Sequence, residues 1–242
     1  MIRWLLATVL LATTAGAQDR ISQIKDAQFD DPTDRYAHGI LGDAIEYGSL
    51  VLTVAQCPGC TNEMIVEITL KLPENRVFED LSPRVADLDY DGFPEVIVVE
   101  TDLALGAQLA VYGVNGKLAE TPFLGRPHRW LAPIGVADFN GDGLIDIAYI
   151  EKPHLTKLLK IWSFENGDLR QIAEASGLTN HRIGEDYITG GVRVCDEGPE
   201  MITVDADWRY IVASRLVGRD LEFETLGAFL GQNSIADAMA CR

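Results

Sequence analysis

An acidic nine-residue pattern occurs twice in this chain, in the same frame and 51 residues apart. It reads Asp87-Leu-Asp89-Tyr-Asp91-Gly92-Phe93-Pro-Glu95, and then Asp138-Phe-Asn140-Gly-Asp142-Gly143-Leu144-Ile-Asp146. Each copy follows Val-Ala (Val85-Ala86, Val136-Ala137) and precedes an apolar run, Val96 to Val99 and Ile147 to Ile150. Side-chain oxygens at positions 1, 3, 5 and 9, with glycine at 6, form the donor set of a hard cation. Ca²⁺ takes about six to eight oxygens, and a tight loop can add a backbone carbonyl, here from Phe93 or Leu144. Gly92 and Gly143 accept backbone conformations that a side chain would resist. An EF-hand would need flanking helices and a Glu at position 12, which falls on Val98 and Tyr149, so that architecture is excluded. The bland alternative is a pair of Asx-turns with solvated carboxylates. Two copies in one frame argue for metal.

With strands on both sides, Val-Ala-Asp-x-Asn-Gly-Asp-Gly-x-x-Asp resembles the FG-GAP (VCBS) repeat, seen in integrin α-subunit propellers and many bacterial secreted proteins. The resemblance is specific over roughly residues 84–170 and degenerate elsewhere. It implies an all-β fold, a small β-propeller with one Ca²⁺ in the loop between the first two strands of a blade. Carried over by position, it implies that Asp87, Asp89, Asp91, the Phe93 carbonyl and Glu95 ligate one ion. Asp138, Asn140, Asp142, the Leu144 carbonyl and Asp146 would ligate a second.

The repeat extends past the loops. Asn115-Gly116 lies 28 residues after Asp87, and Asn166-Gly167 lies 28 residues after Asp138. Asn-Gly between alternating apolar runs is a hairpin signal, so each unit holds about four strands. Two degenerate units flank these. The upstream one comprises His38 to Asp43, Leu50 to Val54, Met64 to Leu72 and Val77-Phe78. The downstream one comprises Gly191 to Cys195, Met201 to Val204, Tyr210 to Leu216 and Leu221 to Leu226. Neither keeps the oxygen spacing. The expectation is four four-stranded blades, or five if both termini build one, with residues 21–29 available to close the ring and a short helix near Ser234 to Ala240.

Residues 1–17 read as a signal peptide: Arg3, an apolar stretch from Trp4, and Ala15-Gly16-Ala17 before Gln18. The stretch is too short to span a bilayer, and no later one is long enough. Residues 18–242 then form a single exported domain, periplasmic or secreted, without membrane insertion. The formal charge of −17 becomes −18 when Arg3 is removed, which argues against nucleic acid or anionic lipid as partners. Export makes the four cysteines disulfide candidates. Cys57-Pro-Gly-Cys60 precedes an alternating strand pattern, not the helix a redox pair needs, and a zinc ribbon would require a second such pair. The spacing favours a local clip, Cys57–Cys60, and a staple, Cys195–Cys241.

No nucleophile elbow, zinc-protease helix or phosphate loop is present, so no catalytic residue is assigned. Basic and aromatic residues cluster in Arg126, His128, Arg129 and Trp130, in Lys152 and His154, and in His181 and Arg182. All fall in expected connections, where partners bind. They form either an anion- or carbohydrate-contacting patch, or blade-to-blade ion pairs with Trp130 packed between; His38 reads as packed. The leading expectation is a monomeric, non-catalytic, calcium-stabilised module that presents loops to a protein or glycan. The alternative is an enzyme or lectin acting on cell-envelope or extracellular carbohydrate through an axial pocket. Convergence of the histidines with a carboxylate would favour the second.

Overall fold

The computed structural model describes residues 22–241, and the leader expected over residues 1–17 lies outside them. The described chain is all-β in three sheets, with one short helix. The first unit is an antiparallel meander of β1 (Ser22–Thr33), β2 (Glu46–Gln56) and β3 (Met64–Lys71), with β2 in the middle. Sequence pattern had placed a strand at His38 to Asp43. Residues 34–45 instead form turns and bends, and β1 takes the place beside β2. Gly39 and Gly42 sit at positive φ and the Asp43 carboxylate accepts the Ile45 amide at 2.8 Å, which bends the chain out of an extended path.

The short β4 (Arg76–Phe78), expected to finish the first unit, belongs mainly to the second. It pairs with β6 (Glu95–Asp102) through three residues and with β2 only through Tyr47 and Phe78. That bridge fuses the first two units into one eight-stranded sheet. The second unit continues with β5 (Arg84–Ala86) on the same edge of β6, then β7 (Gly106–Gly113) and β8 (Gly116–Glu120). The third is a four-stranded sheet of β9 (Leu131–Ala137), β10 (Asp146–Glu151), β11 (Leu158–Glu165) and β12 (Asp168–Ser176). In the fourth, β13 (Leu178–Thr179) and β14 (Gly191–Cys195) share one edge of β15 (Gly198–Asp205), followed by β16 (Tyr210–Val217) and β17 (Asp220–Ala228). Asn-Gly sits at the β11–β12 turn with both residues at positive φ, the geometry that matches hairpin twist.

Apolar runs after the acidic loops become the most buried strands: every residue of β6 and of β10 is buried. Ile97 and Val99 of one, and Ile147 and Tyr149 of the other, share a core with Leu109, Trp130 and Leu131, so the two acidic units pack face to face. Both strands also carry a buried carboxylate at the same repeat position, five residues after the loop's ninth residue. Glu100 is met by Arg76 and Lys117, each at 2.7 Å, and accepts the Tyr112 hydroxyl at 2.6 Å. Glu151 is met by Lys152 at 2.8 Å and Lys160 at 2.7 Å. An unpaired charge at such depth would cost several kcal/mol; pairing removes that penalty.

Disulfides join Cys57 to Cys60, just after β2, and Cys195 at the end of β14 to Cys241. The second holds α1 (Gln232–Met239) against the sheet of the fourth unit, where Ile235 and Ala238 bury against Ile202, Val204, Ile211 and Ala213.

The first strand of each of the last three units is interrupted at a matching height. The stretch between the pairs Phe78–Glu100 and Arg84–Ile97 is looped out in the second unit. Ile134 alone bulges in the third, and residues 180–190 are inserted between β13 and β14 in the fourth. Bulges re-aim side chains beside functional sites. Here the insertions meet residues 34–45: the Gly184 amide donates to the Ile40 carbonyl at 3.0 Å, tying the first unit to the last.

Candidate functional site

The two acidic loops connect β5 to β6 and β9 to β10, and they share a hydrogen-bond scaffold position by position. The amide at position 6 donates to the first Asp: Gly92 to Asp87 Oδ2 at 3.0 Å, Gly143 to Asp138 Oδ2 at 2.9 Å. The amide at position 5 donates to the side chain at 3: Asp91 to Asp89 at 3.2 Å, Asp142 to Asn140 at 2.9 Å. The amide at 7 donates to the side chain at 5, Phe93 to Asp91 at 2.8 Å and Leu144 to Asp142 at 2.9 Å. The amide at 2 donates to the acid at 9, Leu88 to Glu95 at 3.0 Å and Phe139 to Asp146 at 3.2 Å. Leu88 and Phe139 are themselves buried, so an apolar second residue pins each loop to the core.

These loops crowd negative charge. Asp87, Asp89 and Glu95 each bring one carboxylate oxygen within 4.8 Å of the other two, a group that could hold a metal ion. Burial, then the neighbouring Asp89, Asp91 and Asp87, push the Glu95 carboxyl up to about 7. Burial, with Asp142 and Asp138 adding to it, pushes Asp146 up to about 6. Asp87 Oδ1 is buried with no hydrogen-bond partner, whereas the Ser163 hydroxyl stands beside Asp146 and opposes the rise of its pKa.

On the interrupted strands a second site forms. All four histidines of the chain meet there, each from a different connection: His38 (34–45), His128 (121–130), His154 (152–157) and His181 (180–190). His38 stacks on His128 with ring centroids 5.0 Å apart, and Tyr36 lies 5.3 Å from His128 and 5.7 Å from His38. Trp130 lies 4.9 Å from His181, edge on, and runs parallel to His154 at 6.5 Å. The rings are fixed from behind. Fully buried Glu79 hydrogen-bonds His38 Nδ1, accepts the Thr101 hydroxyl at 2.6 Å and receives Trp130 Nε1 on its backbone carbonyl at 2.8 Å. Burial raises the Glu79 pKa, and His38 opposes that rise. The Tyr36 hydroxyl accepts the His128 amide at 2.6 Å. Burial and Glu79 raise its pKa. Near them, burial and the charges of Glu79, Asp43 and Asp80 push Glu46 up to about 9, so it stays protonated at neutral pH.

A cavity of about 230 Å³ opens between these groups, lined by His38, His128, Arg129, Lys152 and His154, with Ile40, Trp130, Pro153, Leu155 and Ile183 as its apolar wall. No carboxylate lines it, although acidic residues outnumber Lys and Arg by 37 to 20 in the chain. His128 and Lys152 both hold positive φ, a conformation that non-glycine residues keep only when their surroundings impose it.

Of the basic and aromatic residues singled out in the sequence, His128, Arg129, Trp130, Lys152 and His154 line this cavity, and His181 stands behind His154. Arg182 turns away and lies 4.0 Å over the Trp208 ring, and Arg126 is exposed outside the lining. His38 and Glu79 complete the site, and sequence reading missed both. Glu79 follows a three-residue strand and carries no motif; only its place just before the bulge marks it.

Residues 87–149 match the family model described as FG-GAP-like repeat. This stretch is similar to an FG-GAP-like repeat. It spans the first acidic loop, strands β6 to β9, and the second loop into β10. No curated protein gives a significant match to the chain. Among solved structures, it is similar to the crystal structure of exotype rhamnogalacturonan lyase YesX, at TM-score 0.46 and 14% identity over 85% of this chain and 48% of that one. The chain thus spans about half the length of that protein.

Proposed function

We propose that this protein is an exported, calcium-stabilised β-propeller that acts as a binding module for a protein or glycan partner. Its four blades are the four units described above, the first with three strands and the others with a split or bulged inner strand. One Ca²⁺ would be held by Asp87, Asp89, Asp91, the Phe93 carbonyl and Glu95. The other would be held by Asp138, Asn140, Asp142, the Leu144 carbonyl and Asp146. The observation that carries this reading is the orphaned Asp87 Oδ1, buried beside the gathered carboxylates of Asp89 and Glu95, in a loop whose scaffold the second loop repeats. A buried carboxylate oxygen without a donor is costly, and a hard cation satisfies it where no hydrogen-bond donor can reach. The ion supplies charge neutralisation and cross-links each loop to the strand that follows. Two disulfides suit an oxidising compartment, and among the described residues no helix is long and apolar enough to cross a membrane.

Calorimetric titration of chelator-treated protein tests this. Two Ca²⁺ per chain are expected, with affinity near 10⁻⁴–10⁻³ M, the range of extracellular modules. Absence of binding, together with a melting temperature indifferent to chelator, would remove calcium from the account.

A second reading, a ligand pocket of the kind enzymes and lectins use, is favoured by one observation. His38, His128 and His154 line a single cavity, with the buried Glu79 bonded behind His38 and His181 behind His154.

A further inference from the structure

Resting on the pocket reading, the geometry points to a defined ligand class: we infer that the histidine-lined cavity binds a small organic acid that also carries a hydroxyl group. Three features of the lining specify it.

The first is an acceptor whose polarity is set by a hydrogen-bond chain. His181 Nε2 lies 2.9 Å from the Glu185 carbonyl, which can only accept, so the ring must donate from Nε2. Burial lowers the His181 pKa, against the Glu185 contacts that raise it, and the neutral ring that donates from Nε2 has its lone pair on Nδ1. That lone pair faces His154 Nε2 at 3.1 Å, so His154 donates there. Burial and the neighbouring His181 ring lower the His154 pKa to about 4, against a backbone hydrogen bond with His181 that raises it, and the neutral ring that donates from Nε2 has its acceptor at Nδ1. Among the described residues Nδ1 takes no hydrogen bond, on a ring that lines the cavity. An acceptor in this setting selects a ligand donor, and a hydroxyl is the plainest one.

The second is charge. Arg129 and Lys152 line the same cavity, and no carboxylate does. Lys152 is shared with Glu151, whereas among the described residues the Arg129 guanidinium makes only a bond to the His128 carbonyl, at 2.9 Å. One unshared cation and one shared one suit a single carboxylate. They also disfavour a transition metal. No three of the histidines and acids here bring ligand atoms within 4.8 Å of one another, the one such group among the described residues being in the first acidic loop.

The third is size and shape. At about 230 Å³ the cavity lies below the 300–1,000 Å³ of drug-sized sites, so it suits one ring. Leu155 and Ile183 remain 59% and 69% exposed at its mouth, an apolar rim for the ring's face.

Calcium-saturated full-length protein would be titrated calorimetrically at pH 7 with 4-hydroxybenzoate and galacturonate, an aromatic and a sugar source of the same chemistry. Benzoate lacks the hydroxyl, 4-hydroxybenzamide lacks the charge, and galactose lacks the carboxylate. One-to-one binding of at least one hydroxy acid is expected, weakened at least tenfold by loss of either group. The variants Arg129→Gln and His154→Phe should each weaken it at least tenfold. Should His154→Phe fail to fold, ¹⁵N spectra of the native rings test the acceptor directly: His154 must be the Nε2–H tautomer. The Nδ1–H tautomer would overturn the inference. Equal binding of galactose and galacturonate, or of Zn²⁺ in place of either acid, would overturn the ligand class while keeping the pocket. If none of the probes binds, both the class and the pocket reading fall.

Discussion

Asp87 and Asp138 make the same bond 51 residues apart: the Oδ2 of each accepts the amide of the glycine five residues on, at 3.0 and 2.9 Å. The first Asp of each loop therefore both folds the loop and faces the ion site. Replacing it should separate these roles. Asp138→Asn keeps an acceptor for Gly143 but removes one of the site's three negative charges, those of Asp138, Asp142 and Asp146, so it should abolish tight binding at one loop and leave the other. A titration showing one Ca²⁺ per chain is expected, with about 2.7 kcal/mol of calcium-dependent stability lost at a free concentration a hundredfold over Kd. Loss of both ions together would show that the loops are not independent.

The Cys195–Cys241 bond spans 46 residues and anchors α1, whereas Cys57–Cys60 spans three. Loop-closure entropy assigns the longer bridge roughly 3–4 kcal/mol. Cys195→Ser should lower the melting temperature by about 10 °C for a domain of this size, and the Cys57→Ser/Cys60→Ser pair should change it little. Comparable losses from both would mean that the long bridge constrains a segment already held by Ile235 and Ala238.

Much of this architecture was legible in the chain because period and turn chemistry report locally. The two acidic loops, the Asn-Gly hairpin at 166–167 and the second-strand runs all register against backbone geometry within a few residues. What stayed hidden depends on contacts across units. β4 reads as the end of one unit, yet its partners Glu100, Thr101 and Asp102 lie in the next. His38 reads as a packed residue beside a glycine, and only the turn of residues 34–45 brings it against His128 and Glu79. Arg126 and Arg182 look equivalent to Arg129 in sequence, but Arg182 is drawn off by Trp208.

Glu46 supplies a pH signature. Its carboxyl, about 4.5 in an unfolded chain, is pushed to about 9 by burial, with Glu79, Asp43 and Asp80 adding to the rise. The folded state therefore binds the proton more tightly, and this stability is fully present below pH 4.5 and lost as pH climbs toward 9. Glu46→Gln keeps a neutral side chain and removes the titration. Melting temperatures in saturating calcium should match near pH 5, with the variant increasingly the more stable toward pH 9. Parallel curves would show that Glu46 is ionised in the folded protein.

Gly190 tests how the insertion of residues 180–190 returns to the sheet. It holds φ +89°, and a Cβ there would lie 1.9 Å from the Ile202 carbonyl oxygen and 2.8 Å from its carbon. The obstacle is the backbone of β15, which has β14 on one edge and β16 on the other, so it cannot swing aside as a side chain would. Gly167 is the control: φ +82° with nothing within 4 Å of a Cβ. Gly167→Ala carries only the left-handed backbone cost, about 1–2 kcal/mol. Gly190→Ala adds a clash on top of it, for a total of about 3 kcal/mol or more. At about 2–4 °C per kcal/mol, the two melting temperatures should fall by a few degrees and by about 10 °C respectively. His181 stands in the same insertion, and the Thr189 amide closes it on the Asn180 carbonyl at 2.7 Å, so Gly190→Ala should also disturb the His154–His181 hydrogen bond. If the two substitutions cost the same, the insertion does not pack on β15 as described, and the route by which His181 reaches His154 is wrong.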